Sequence, residues 1–224
     1  MIVKIKRQNA PETPSYWQSF EYNGPKHVTV SAILDALNYT DDLFDIEGNQ
    51  ATRIRWECSC NQAMCGGCAM VINGVPCLAC KTYADQVKGK ELVLEPLSKF
   101  PVIADLVVDR EIIYKNLTQA KAYLETVAQS DKRQHDQQYS VAKCLKCGLC
   151  LEVCPNYHPG AEFFGAVLAN ESYLITSQSE KKDIPVVKEY KKHFAAGCSK
   201  ALSCQKVCPA GIETITSIIR MNRK

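Results

Sequence analysis

Apolar and polar residues alternate at the start of the chain, which is the pattern of a β-strand with one buried face. The alternation runs from Ile2 to Lys6, and the later pair Asn23-Gly24 is typical of a hairpin turn. Between residues 31 and 38, apolar residues recur every three or four positions, which predicts a helix with one buried face. Further short strand-like segments occur at 53–56, 70–72 and 92–94. The first half of the chain is therefore predicted to combine several strands with one helix.

The spacing of the apolar residues changes near residue 105 and becomes helical. The residues that show the new spacing are Ile103, Leu106, Val107, Ile113 and Leu117. A polar stretch at 129–140 is predicted to be a loop. The predicted fold class is therefore α+β, with a strand-rich domain at residues 1–105 and a mainly α-helical domain at residues 106–224.

The composition agrees with two domains, because 46% of the 224 residues are hydrophobic and can supply a core for each. No run of about 18 apolar residues occurs, so we expect a chain that does not itself span a bilayer. The first six residues also lack the apolar segment of a secretory signal. The net charge is −2 for residues 1–105 and +5 for residues 106–224. The basic second half suits an anionic membrane surface or an acidic partner, and a scattered solvated surface is the alternative. No nucleic-acid-binding patch is predicted.

Eleven of the thirteen cysteines fall into three spaced groups, and the first group has the spacing of a plant-type [2Fe–2S] site. It reads Cys60-x4-Cys65-x2-Cys68-x11-Cys80. Glycines at 66–67 allow tight turns inside the loop and bring amide groups close to the sulfurs. We therefore predict that these four cysteines bind a [2Fe–2S] cluster. Together with the strands and the helix, this loop suits the β-grasp fold of plant-type ferredoxins.

The second and third cysteine groups have the spacing of a two-cluster ferredoxin. They read Cys144-x2-Cys147-x2-Cys150-x3-Cys154-Pro155 and Cys198-x5-Cys204-x3-Cys208-Pro209. In such proteins the fourth cysteine of a run binds the other cluster. The predicted ligands of a [4Fe–4S] cluster are therefore Cys144, Cys147, Cys150 and Cys208.

The remaining site has one thiolate fewer. Its predicted ligands are Cys154, Cys198 and Cys204, and Ala201 stands where a fourth cysteine would be expected. Three thiolates suit a [3Fe–4S] cluster. A fourth iron with an oxygen ligand is an alternative that the spacing leaves open.

Zinc is the main alternative to iron–sulfur clusters, since it takes four ligands in a tetrahedron. The second group carries too many cysteines for one zinc site, which favours clusters. A disulfide scaffold is disfavoured because such frameworks belong to small secreted chains, so we expect a reducing compartment. Cys58 and Cys77 fall outside the ligand spacing and are interpreted as ordinary buried thiols. His158 is interpreted as a surface residue, with a position beside the last cluster or its electron acceptor as the alternative.

Taken together, the three cysteine groups resemble those of the iron–sulfur subunits of succinate dehydrogenase and fumarate reductase. The resemblance covers nearly the whole chain. It rests on residues 65–74, 78–80 and 100–110 and on both C-terminal cysteine runs. It implies an electron-transfer subunit of an oxidoreductase complex, with no catalytic residue of its own.

The resemblance also implies partners. In that family, the clusters connect an FAD-containing flavoprotein subunit that handles the dicarboxylate with a quinone site at a haem-binding membrane anchor. We therefore expect the chain at the cytoplasmic face of the inner membrane, held there through its partner subunits.

The chain departs from the ubiquinone-linked members of this family near the last cluster. Those members carry tryptophan shortly after the Cys-Pro of the second group and histidine directly after the first cysteine of the third group. Here residues 155–159 read Pro-Asn-Tyr-His-Pro, Ser199 follows Cys198, and Ala210 follows Pro209 where a basic residue is common. We therefore expect menaquinone as the quinone. The alternative is an electron-transfer subunit of another flavin-dependent oxidoreductase with a different acceptor.

Overall fold

The computed structural model describes residues 1–129, 132–181 and 184–223. The chain divides into two compact units, Met1–Asp109 and Arg110–Lys224. The first unit contains the sheets and one α-helix, and the second unit is built from helices. The predicted α+β fold class, a β-grasp unit followed by a helical unit, is therefore confirmed.

The first unit is built on a five-stranded mixed sheet with the order β2-β1-β7-β5-β6. The strands of the unit in chain order are β1 (Ile2–Arg7), β2 (Tyr16–Glu21), β3 (Leu43–Phe44), β4 (Gln50–Ala51), β5 (Ala69–Ile72), β6 (Val75–Leu78), β7 (Leu92–Glu95), β8 (Val102–Ala104) and β9 (Val107–Val108). Strand β1 is parallel to β7, and the other neighbours in the large sheet are antiparallel. Strands β3 and β4 form one small sheet, and β8 and β9 form another.

The helix predicted from the apolar spacing is α1 (Val30–Asn38), and it buries Ile33, Leu34 and Leu37 as expected. It begins at Thr29, whose hydroxyl accepts a hydrogen bond of 3.3 Å from the amide of Ala32. The predicted strands at 2–6, 70–72 and 92–94 correspond to β1, β5 and β7. Local alternation and helical spacing were sufficient for these elements.

Three local predictions for this part of the chain are wrong. Asn23-Gly24 is not a hairpin turn, because β2 pairs with the preceding strand β1 and the element that follows β2 is a helix. Residues 53–56 do not form a strand. Side chains form hydrogen bonds with their backbone groups, such as the carboxylate of Asp105 with the amide of Arg55. Residues 103–107 belong to the β8–β9 hairpin instead of a helix, since Asp105 turns the chain with a φ of 45°.

The second unit is a bundle of mostly short helices. They are α2 (Glu111–Gln119), α3 (His135–Ala142), α4 (Leu149–Glu152), α5 (Gly165–Gln178), α6 (Pro185–Tyr190), α7 (Ser203–Val207) and α8 (Thr214–Met221), and a π-helical turn at Lys191–Ala195 continues α6. Helix α5 lies at the centre and contacts α3, α4, α6 and α8. Across the part of the chain that the structure describes, no helix has the length and apolar character that a bilayer crossing requires.

The loop predicted at 129–140 is wrong in its second half, because α3 begins at His135. Residues 130 and 131 of that stretch lie outside the described residues. The helix buries Gln138 beside Val141, and Gln138 donates a hydrogen bond of 3.2 Å to the carbonyl oxygen of Ser177. A polar residue thus occupies a core position, so the spacing of apolar residues alone does not indicate this helix.

Candidate metal centres

The segment that leads into the first cysteine loop is held by side chains instead of strand pairing. Asp105 accepts a hydrogen bond of 2.9 Å from the amide of Arg55 and forms a buried ion pair with Arg7, with 2.9 Å between Nε and Oδ1. Asn38 binds both the amide and the carbonyl of Ile54, at 2.8 Å each. These contacts fix the chain shortly before the cysteines. Sequence reasoning missed Arg7 and Asp105 as positioning residues, although Asp105 lies in the 100–110 segment that carries the family resemblance.

The structure brings the four predicted [2Fe–2S] ligands together as two pairs. The Sγ atoms of Cys68 and Cys80 lie 3.3 Å apart, and the thiol of Cys60 interacts with that of Cys65. Positive φ angles between 49° and 77° bend the loop at Asn61, Ala63 and Gly66. A [2Fe–2S] cluster takes four thiolates on two irons, so an arrangement of two pairs fits this cluster.

Backbone amides of the loop point at two of these sulfurs. The amides of Gln62 and Met64 each donate to Cys60 Sγ at 3.3 Å, and the amide of Ala63 donates to Cys80 Sγ at 3.3 Å. The hydrogen bonds from Gln62 and Met64 lower the pKa of Cys60 to about 7. The loop is therefore built to stabilise negative charge on sulfur, which a metal-bound thiolate carries.

Cys58 also lies among the sulfurs of this loop. Its Sγ and those of Cys68 and Cys80 all lie within 4.8 Å of one another. Cys77 lies on β6, where its Sγ contacts the carbonyl oxygen of Val75 at 3.3 Å. The interpretation of Cys58 and Cys77 as buried thiols is therefore wrong, because both are only partly buried, and Cys58 in addition lies beside predicted ligands.

In the second unit, a cavity collects all four cysteines predicted to bind the [4Fe–4S] cluster. The cysteines that line it are Cys144, Cys147, Cys150, Cys204 and Cys208. Val167 and Ile212 form apolar parts of its wall. Cys204, which the spacing assigns to the other cluster, also reaches this cavity. The convergence of five thiols on one apolar space fits a bound cluster.

Burial dominates the electrostatics of this cavity. It raises the pKa of Cys147 to about 11, raises the pKa of Cys150 well above its ordinary value, and raises that of Cys144. These thiols favour the neutral form in the protein alone, because an apolar environment disfavours charge. A positively charged metal centre reverses this preference and deprotonates its ligands.

Tyr157 supplies a second observation that fits a cluster in the second unit. Its side chain is 1% exposed, and its hydroxyl has no hydrogen-bond partner among the described residues. Burial raises the pKa of Tyr157, and the nearby charge of Cys150 raises it further. A buried hydroxyl without a partner is costly, so a cluster sulfur that accepts a hydrogen bond from it would satisfy it.

Lys146 lines the same cavity and pairs with Glu171. The two side chains are 21% and 12% exposed, so the pair is largely shielded from water. Burial lowers the pKa of Lys146, but the charges of Cys144 and Glu171 outweigh it and raise the pKa overall. Lys146 therefore stays charged beside a predicted ligand. Sequence reasoning missed this pair, because Lys146 and Glu171 are 25 residues apart.

The two C-terminal cysteine runs have matching backbones. The residues with positive φ are Lys146 (52°) and Gly148 (86°) in the first run and Lys200 (58°) and Leu202 (56°) in the second. Helices α4 and α7 begin directly after Gly148 and Leu202. The match places Ala201 at the position that Cys147 occupies in the first run.

Hydrogen bonds repeat at the same positions of the two runs. The amide of Cys154 donates to Leu151 at 3.2 Å, and the amide of Cys208 donates to Gln205 at 3.3 Å. After each Cys-Pro pair, the next turn closes onto the cysteine carbonyl, from Tyr157 in the first run and from Gly211 in the second. The shared backbone is thus independent of the missing cysteine.

Of the three cysteines predicted for the last cluster, Cys204 interacts electrostatically with the other two. Burial raises the pKa of Cys204, and the charges of Cys154 and Cys198 raise it further. The side chain of Asn156 links the two runs, because it donates to the carbonyl of Gly197 at 2.7 Å and accepts from the hydroxyl of Ser199 at 2.9 Å. His158 is exposed, in agreement with its interpretation as a surface residue.

Three family models match the chain. A 2Fe-2S iron-sulfur cluster binding domain matches residues 2–115, and two 4Fe-4S dicluster domains match residues 140–212 and 109–158. The first match covers all of the first unit except Met1, and the match to residues 140–212 covers both C-terminal cysteine runs. Binding domains for [2Fe–2S] and [4Fe–4S] clusters are therefore present in the predicted order.

Individual relatives cover nearly the full length. The chain is 31% identical over 227 residues to the fumarate reductase iron-sulfur subunit of Escherichia coli O6:H1, a match that covers 96% of this chain and 89% of that protein. It is 28% identical to the succinate dehydrogenase iron-sulfur subunit of Bacillus subtilis, over 98% of this chain and 90% of the relative. A chain from a structure of the Mycobacterium smegmatis Sdh1 complex in the apo form has the same fold, with a TM-score of 0.76, 19% identity and coverage of 100% and 96%. The predicted resemblance is thus confirmed, and the chain belongs to the family of succinate dehydrogenase and fumarate reductase iron–sulfur subunits.

Proposed function

We propose that this chain is the electron-transfer subunit of a succinate dehydrogenase or fumarate reductase complex. The observation that carries the proposal is the presence of three cysteine sites in family order, on a chain that matches 89% of a fumarate reductase iron-sulfur subunit. Those relatives belong to oxidoreductases, so the chain takes part in oxidation and reduction. Its own residues act as ligands and not as catalytic groups for the dicarboxylate.

The proposed ligand sets follow the spacing of the cysteines. The [2Fe–2S] cluster is bound by Cys60, Cys65, Cys68 and Cys80, and the [4Fe–4S] cluster is bound by Cys144, Cys147, Cys150 and Cys208. Support for the first set comes from its two sulfur pairs, and support for the second from its shared cavity. The proposed domains are residues 1–105 for the first cluster and residues 106–224 for the other two.

The proposed ligands of the last cluster are Cys154, Cys198 and Cys204, and its proposed type is [3Fe–4S]. Support comes from Ala201, which stands at the backbone position of Cys147 but offers no sulfur. A methyl group cannot bind a fourth iron, so the run supplies one ligand fewer than its counterpart.

When bound, the clusters would supply one-electron transfer, which amino-acid side chains alone do poorly. The chain determines how that chemistry is tuned. The amides of Gln62, Ala63 and Met64 donate to sulfur in the first loop, and hydrogen bonds to sulfur favour the reduced, more negative state. In the second unit, apolar walls such as Val167 and Ile212 keep water away from the ligands.

The proposed partners are a flavoprotein subunit with FAD and a haem-binding membrane anchor with a quinone site. The proposed quinone is menaquinone, because residues 155–159 contain no tryptophan, Ser199 stands where ubiquinone-linked members have histidine, and Ala210 stands where a basic residue is common. The proposed location is the cytoplasmic face of the inner membrane, reached through the anchor subunit. A different acceptor is the second candidate function, and the same three departures favour it.

The test is to purify the complex after co-expression of this chain with the flavoprotein and anchor subunits of its own genome. We expect about nine irons per chain, from clusters of two, four and three irons. Succinate should reduce a menaquinone analogue through the complex, and the isolated chain should reduce no fumarate. A Cys65→Ala variant should lose two irons, whereas the matched Cys77→Ala variant should keep all of them. Zinc in place of iron, with no EPR signal in either redox state, would overturn the proposal.

A further inference from the structure

The first cysteine loop contains one thiol more than its cluster needs. Cys58, Cys68 and Cys80 have their Sγ atoms within 4.8 Å of one another. Ligands of one tetrahedral metal ion with bonds of about 2.3 Å have sulfurs about 3.8 Å apart. The three thiols therefore converge as the ligands of a single metal ion would.

A [2Fe–2S] cluster cannot use all three at once. Four thiolates serve two irons, and the remaining positions on each iron are filled by bridging sulfides. Cys68 and Cys80 form one of the two observed sulfur pairs, at 3.3 Å, and this pair would satisfy one iron of the proposed cluster. Cys58 would then be an extra thiol beside that iron.

The surroundings of Cys58 allow it to change partner. Its thiol donates a hydrogen bond of 3.1 Å to Oδ1 of Asn61, a contact at the exposed surface of the loop. Water can replace this contact at little cost, since exposed hydrogen bonds contribute little net free energy. Cys58 also precedes the tight turn that begins at Asn61, where φ becomes positive, so its own segment lies outside the bend.

We infer that Cys58 is a reserve ligand for the iron that Cys68 and Cys80 bind, an inference that rests on the proposed [2Fe–2S] cluster in this loop. When Cys80 leaves, its thiolate takes up a proton from water. Cys58 releases its proton to water as its Sγ forms the new bond to iron. The number of electrons at the cluster is unchanged, so the exchange needs no oxidant or reductant.

The experiment removes one member of the pair and asks whether Cys58 replaces it. We would make Cys80→Ala, Cys80→Ser and the double variant Cys58→Ala/Cys80→Ala in the full chain, and reconstitute each anaerobically. Iron content and the EPR signal of the reduced [2Fe–2S] cluster report cluster assembly. Alkylation with iodoacetamide, followed by mass spectrometry, reports which thiols are bound. Cys77 is the matched control, since it is a second non-ligand thiol of the same unit.

We expect both single variants to keep about nine irons per chain and the double variant to fall to about seven. In the wild type, iodoacetamide should modify Cys58 and Cys77, whereas in Cys80→Ala, which leaves no donor atom at position 80, Cys58 should become protected and Cys77 stay reactive. Cluster loss in both single variants, or a retained cluster in Cys80→Ala with Cys58 still reactive, would overturn the inference. Cys80→Ser guards against a folding defect, because serine is close to cysteine in size and its oxygen can accept the amide of Ala63. A wild-type chain without a [2Fe–2S] signal would instead count against the proposed function itself.

Discussion

The two C-terminal cysteine runs share a backbone and differ in a single cysteine. Residues with positive φ, the starts of the following helices and the hydrogen bonds at the last cysteine occur at equivalent positions in both. Yet the first run has Cys147, which is buried in the cavity, and the second has Ala201, which is exposed. The comparison teaches that the backbone of such a run forms without its middle cysteine. In the proposed clusters, the side chain at that position decides whether a fourth iron has a ligand.

The surroundings of the runs differ as well. Lys146 is largely shielded and pairs with Glu171, whereas the equivalent Lys200 is exposed. The first run turns at Gly148, and the second forces Leu202 into the same left-handed conformation. Charge near the cluster and strain in the turn are therefore set independently in each run.

The largest expected effect comes from making the first run resemble the second. Cys147→Ala removes the ligand of one iron, so the [4Fe–4S] cluster should become a [3Fe–4S] cluster. Total iron should fall from about nine to about eight per chain, and the oxidised sample should show a second [3Fe–4S] EPR signal. An unchanged [4Fe–4S] signal, with all irons retained, would show that Cys147 is not a ligand.

The reciprocal change should have the next largest effect. Ala201→Cys supplies a fourth thiolate at the last cluster, so it should become [4Fe–4S] and its oxidised [3Fe–4S] signal should disappear. The added negative charge lies within a few ångströms of the irons and should lower the potential by on the order of 100 mV. Redox titration followed by EPR measures both. The idea fails if the new cysteine is alkylated in the reconstituted protein and the signal persists, which would mean that residue 201 points away from the cluster.

Neutralising the shielded lysine should have a smaller effect. Lys146→Gln leaves the negative charge of Glu171 unbalanced beside Cys144, so the potential of the [4Fe–4S] cluster should fall by some tens of millivolts. Lys200→Gln is the matched control, and its shift should be near zero because water and salt screen an exposed charge. Equal shifts in the two variants would contradict the difference in shielding.

The smallest expected effect concerns the strained turn. Leu202→Gly relieves a left-handed conformation that costs a residue with a side chain about 1–2 kcal/mol, but it also loses a half-buried side chain. The net gain in unfolding free energy should be about 0.5 kcal/mol, measured by urea unfolding of the reconstituted chain. Gly148→Ala, at the equivalent position, should instead destabilise by about 1 kcal/mol. A loss of stability in Leu202→Gly would show that packing of the leucine outweighs the strain.

Much of the molecule followed from local sequence. The spacing of cysteines within each group depends on how a short loop bends around a metal, so it could be interpreted without knowledge of the fold. The strands at 2–6, 70–72 and 92–94 and the buried face of α1 likewise follow from periods of two and 3.6 residues. Where a core position is polar, as at Gln138 of α3, the same reasoning failed.

The sequence by itself therefore determined the fold class and the grouping of the cysteines, because both depend on local spacing, and the resemblance of its motifs identified the family. Only the tertiary structure decided what surrounds the groups. It placed Asp105 against Arg7 and Arg55, Cys58 beside Cys68 and Cys80, and Glu171 beside Lys146. The physical reason is that charge pairing, burial and metal coordination act through space, between residues whose separation along the chain carries no periodic signal.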